Sequence, residues 1–115
     1  MSQPTVIPLF SQVAYEGDNP NHIGTKQPAA SYYVSGNNLQ TITWNLTNVT
    51  GLITIQASLA DDPSSNDTDW FTIMTLPCSS LTQNSFANLY GNYVWVRAKM
   101  VGMTSGLIHS IKISY

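Results

Sequence analysis

The residues best suited to chemistry in this chain are a group of carboxylates. Asp61, Asp62, Asp67 and Asp69 fall within nine residues, with Asn66 and two serines among them. Oxygen donors at such close spacing are what Ca²⁺ takes from a loop. The spacing is not that of an EF-hand, however, and Pro63 stiffens the middle. A solvated connection whose Asp side chains bond nearby backbone explains the same residues with less. General acid–base work asks for two carboxyls held about 5–9 Å apart, and a turn-rich loop is poorly suited to hold them.

A second group is the alternating row Tyr93, Trp95, Arg97 and Lys99. If Val94, Val96 and Ala98 face a core, these four point the other way. Aromatic faces beside cations can stack on sugar rings or form a subunit interface. The plainer reading is that a loop or the N-terminal segment covers them. His109 is in phase with Leu107 and Ile111, which predicts a partly buried histidine, and His22 lies in a turn-rich segment. Neither has a second ligand at metal spacing. Cys78 is the single cysteine, which rules out an intramolecular disulfide and predicts a small buried or half-buried residue after Pro77. Phosphate-cradling glycine loops, nucleophile elbows and His-x-x-x-His pairs are missing from the sequence. The expectation is a protein with no catalytic residues, no metal and no cofactor.

The elements that would position these residues read as strands. Leu39 to Leu46 alternates, with Ile42, Trp44 and Leu46 on one face and Thr41, Thr43 and Asn45 on the other. Ile53, Ile55, Ala57 and Leu59 alternate with Thr54, Gln56 and Ser58, the period-two pattern of a strand with one buried face. Shorter strands are predicted at Ser31–Val34, ending in the turn at 36–38, at Trp70–Thr75 before Pro77, and at Leu81–Phe86. Two more follow, from Tyr93 to Met100 and from Gly106 to the end. Capped apolar stripes of helical period are missing, and the chain holds one Glu and three Lys. Six to eight short strands between turn residues predict an all-β fold: an antiparallel β-sandwich, or jelly-roll-like domain, over residues 30–115.

Residues 1–29 differ. They hold four of the six prolines and several turn formers, and they predict an extended N-terminal arm. Val6, Ile7, Leu9 and Phe10 form an apolar patch on it. Such a patch needs cover, from the domain or from another copy. With 9% charged residues and a net charge of −2, little repulsion opposes self-association. The expectation is a homo-oligomer, a trimer being one possibility, in which the arm contributes contacts.

Composition narrows the partners. Ser, Thr, Asn and Gln make up 41 of the 115 residues, so the surface is built from hydroxyls and amides. Four cationic side chains against six acidic ones argue against nucleic acid as a partner. No apolar run reaches the length of a membrane span or of a signal-peptide core, so neither a membrane partner nor export is expected. The sequons at Asn45, Asn48 and Asn66 then follow from an Asn/Thr-rich composition.

Several segments taken in order carry a family resemblance. They are Gly24-Thr-Lys-Gln27 with Ala30-Ser-Tyr-Tyr33, then Ile53-Thr-Ile-Gln-Ala-Ser-Leu-Ala60, then Asp69-Trp70-Phe71. Gly91-Asn-Tyr-Val-Trp-Val-Arg-Ala98, Thr104-Ser-Gly106 and Ile111-Lys-Ile-Ser-Tyr115 complete the set. From about residue 24 to the C-terminus the chain resembles small β-rich virion structural proteins of contractile-tailed marine cyanophages and related tailed viruses. The resemblance implies a virion component made in the host cytoplasm, with no enzymatic activity and no catalytic residues to carry over. Its implied partners are other virion proteins, in the capsid shell or a fibre. A carbohydrate-binding β-sandwich used in attachment, with Tyr93, Trp95 and Arg97 as stacking residues, is the competing expectation.

Overall fold

The computed structural model describes residues 6–17, 20–30, 39–64 and 66–115. Its elements are six strands: β1 (Val6–Ala14), β2 (His22–Ile23), β3 (Gln27–Pro28), β4 (Leu39–Ser58), β5 (Phe71–Tyr90) and β6 (Trp95–Ser114). A 3-10 turn, Asp67–Asp69, precedes β5. The strands form one antiparallel sheet in the order β1-β6-β4-β5. The short strands β2 and β3 also lie on β6, so the N-terminal segment follows β6 in three pieces. The strand expected at Ser31–Val34 and the turn at 36–38 lie outside the described residues.

The sequence predicts short strands separated by turns, whereas β4, β5 and β6 each run for 20 residues. The turn formers within them act as bends. At about 3.3 Å per residue such a strand would be roughly 60 Å long if straight, yet the molecule's longest extent is 41 Å. The bends are marked by left-handed backbone at Asn48 and Gly51 in β4, Ser80 in β5, and Gly102 and Gly106 in β6. Register joins these positions across the sheet: Gly51 faces Cys78, Val49 faces Leu81 and Thr50 faces Ser105. The pairing slips at the same level, between Leu46 and Val49 and between Thr50 and Leu52. Bulges add residues to one strand and bend it, and here several lie along one line, with a further slip between Ile55 and Gln56.

That line also changes the phase of burial. Before it, Ile42, Trp44 and Leu46 are buried; after it, Val49, Ile53 and Ile55 are. Residues from both sides meet in a single cluster with Val96, Ala98, Met100, Met103, Ile108, Ile111 and Ile113 of β6. Leu9 and Phe10 of β1 belong to it too, whereas Val6 is 56% exposed and Ile7 half-buried. Part of the apolar patch expected to seek another copy is therefore covered by the chain's own core.

Three expectations are corrected here. Pro77 does not end its strand: β5 continues through it, opposite Leu52, because on an edge strand the missing N–H costs no ladder bond when it faces outward. His109 is exposed, not in phase with the core. Asn45 faces Ser110 and Leu46 faces Ile108, so His109 bulges out of the ladder and bonds Thr47 Oγ1 at 2.8 Å. Finally, Thr54, Gln56 and Ser58 are buried along with the apolar residues between them, since other chain segments cover their face.

Candidate functional site

The covered face places Arg97, expected to point outward, at the bottom of a small cluster. Arg97 lies directly across from Gln56 in the β4–β6 ladder, and its Nε donates to Gln56 Oε1 at 2.8 Å. Its guanidinium carbon is 4.5 Å from the centroid of the Trp70 ring. Only 1% of Arg97 is exposed, so the chain's one arginine is a core residue. A buried cation is tolerated when its donors are satisfied and an aromatic face lies over it.

The loop between β4 and β5 is shaped to hold Trp70 there. Trp70 Nε1 donates to the Ser64 carbonyl at 2.6 Å. The Ser64 amide and hydroxyl both donate to Asp69 Oδ2, at 2.8 and 2.9 Å. Asn66 accepts from the Asp69 amide with its carbonyl and from the Thr68 amide with its side chain. The carboxyl of Asp69 is held below its ordinary value of 3.8, first by the Ser64 backbone N–H and then by the Ser64 hydroxyl. The acidic residues thus close their own loop, and among the described residues no three His, Cys, Asp or Glu side chains gather as a metal site. The side chain of Asp67 lies outside the described ones.

Two further ties fasten the loop to the sheet. Lys26 forms an ion pair with Asp62 and donates to the Pro63 carbonyl at 3.0 Å. Its Nζ also lies 5.1 Å from the centroid of the Trp95 ring, and Trp95 Nε1 donates to the Asp61 carbonyl at 3.3 Å. Between the loop and residues 23–26 is a cleft of about 450 Å³ lined by Ile23, Lys26, Ser64, Trp70 and Arg97 among others. Trp95, Arg97 and Lys99 do share one face, with Trp95 and Lys99 half-buried. Tyr93 stands apart: it precedes β6 and packs its ring 6.0 Å from that of Phe71.

Sequence reasoning found Arg97 but not Gln56, Trp70 and Lys26 as its neighbours. The available signal was the cross-strand phase of Gln56 with an arginine flanked by Val96 and Ala98. Nothing local revealed that the face they share is covered. On the other side of residues 22–25, a second cavity of about 440 Å³ touches His22. Cys78 is buried as expected, and burial pushes its thiol pKa up. Comparison with family models, curated proteins and solved structures finds no match to this chain.

Proposed function

We propose that this protein is a non-enzymatic structural component of a tailed-virus particle, a capsid decoration or fibre-associated module that assembles as a homo-oligomer. The observation that carries the reading is where the resembling segments lie. Gly24 to Gln27, Ile53 to Ala60, Asp69 to Phe71 and Gly91 to Ala98 are far apart in sequence, yet they supply Lys26, Gln56, Trp70, Trp95 and Arg97. Their groups contact one another: Arg97 donates to Gln56 and lies under the Trp70 ring, Lys26 lies over the Trp95 ring, and the Gly24 N–H donates to the Ala98 carbonyl at 2.8 Å. Groups engaged in this way hold a fold together, which suits a structural module.

In the same reading the bent sheet is a jelly-roll-like β-sandwich of its own two halves, supported by the shared core. The N-terminal segment is an arm held down by Leu9 and Phe10, with its Val6 side free for contacts. Mass spectrometry and immunogold labelling of purified particles test the assignment. Peptides and label on the particle are expected; particles lacking both would overturn it.

Trp95, beside the cleft, supports a second reading, a carbohydrate-binding module. A half-buried Trp95 beside Lys26 is the kind of surface on which a sugar stacks. A glycan array that loses its signal on Trp95→Ala would favour this reading, and an array with no signal for the native protein would remove it.

A further inference from the structure

We infer that the outer edge of β5, over residues 81–90, is a docking surface for the same edge of a second copy, related by a two-fold axis. β5 closes one side of the sheet and pairs with β4 alone; among the described residues no strand lies on its other edge. Such an edge offers a row of backbone donors and acceptors, and proteins that stay monomeric protect it with lysines, prolines or bulges. β5 contains no Asp, Glu, Lys, Arg or His in its 20 residues. Pro77 and the left-handed Ser80 interrupt it in the middle. That leaves ten residues, Leu81 to Tyr90, without a proline and with even register against β4 from Asn84 to Tyr90.

The chemistry of this stretch selects a copy of itself. An antiparallel pair over residues 82–90 gives about eight to ten hydrogen bonds, a number within the range of a stable protein interface. A neutral edge brings no like charges together when it meets its own image. Thr82, Asn84, Phe86, Asn88 and Tyr90 share the exposed face, and Phe86 and Tyr90 are 62% and 69% exposed. A two-fold axis at Phe86 sets the two phenyl rings across from each other, with Asn84 facing Asn88 and Tyr90 facing Thr82. Cross-strand partners then match apolar with apolar and amide with amide. The other edge is less suitable, because β1 carries Pro8, a register break before Phe10 and a left-handed Gln12 within nine residues.

The inference concerns a surface of the chain and stands whether or not the protein belongs to a particle. Light scattering on the full chain across a concentration series tests it. The expected species is a dimer of twice the 12.6 kDa chain mass, with Asn84→Lys/Phe86→Lys raising its dissociation constant at least tenfold and Val101→Lys leaving it unchanged. A second measurement does not depend on the lysine variant folding: Phe86→Cys in a Cys78→Ser background should give a disulfide-linked dimer on mild oxidation. A monomer at every concentration, a trimer, a dimer indifferent to the lysines, or no cross-link at residue 86 would each overturn the inference.

Discussion

Arg97 donates a hydrogen bond to Gln56, carries an indole face over its guanidinium, and is removed from water. Truncation to alanine would strip Gln56 of a donor, leave Trp70 without its stacked partner and open a void. Arg97→Ala is expected to cost about 2–4 kcal/mol of stability, read as a shift of the urea midpoint. Lysine at this position should recover little, because a point charge cannot both stack and donate from a planar fork. Asp69 supports the same cluster from the loop and carries a pH dependence. Its folded pKa is depressed, so its contribution is complete above the unfolded value near 3.8 and is lost as pH falls through the lower folded value. The melting temperature of the native protein should exceed that of Asp69→Asn above that pH, and the gap should close below it.

At the scale of elements, the long strands depend on their bends. Gly106 has φ +98, and a Cβ there would collide with the Asn48 carbonyl of the neighbouring strand; Gly17 has the same φ with open space around it. Gly17→Ala should therefore cost only the backbone strain, about 1 kcal/mol. Gly106→Ala must also push β4 and β6 apart where they cross the bend, and it should lose clearly more. Chemical denaturation of the two variants side by side checks the difference. Past the bend, Ile55 is 1% exposed in the main core and Thr54 is 8% exposed on the opposite face. Ile55→Ala should cost about 2–5 kcal/mol. Thr54→Ala should cost less, since it removes a smaller apolar volume.

For the molecule as a whole, β6 is the organising strand. β4 lies along one side of it, and the N-terminal segment lies along the other in three pieces. Deleting residues 1–12 would remove Leu9 and Phe10 from the core and uncover the edge of β6 from Ser110 to Ser114. Each lost side chain counts for about 2–5 kcal/mol, against a total of about 5–15 for a domain. The truncated chain is expected to melt at a much lower temperature than the full chain, as read by circular dichroism. Assembly is then better probed by substitutions on exposed edges, which leave the core intact.

The sequence by itself determined that the chain is built from strands and which residues of β4 fill much of its centre. Alternation at Ile42, Trp44 and Leu46 and again at Ile53, Ile55 and Ala57 needs only the period of a strand and the aversion of apolar groups to water. It also showed Arg97 out of phase with Val96 and Ala98. The tertiary structure decided the rest. Whether Asn48, Gly51, Ser80 and Gly106 end strands or bend them depends on neighbours up to 58 residues away, as where Gly106 meets Asn48, and no local pattern carries that information. The fate of the opposite face was likewise undetermined, because Gln56 and Arg97 read as solvated until the Ser64–Trp70 loop and the Lys26 segment are seen to close over them. Local periodicity assigns a residue to one of two faces. Which faces become covered is settled only when segments distant in sequence pack together.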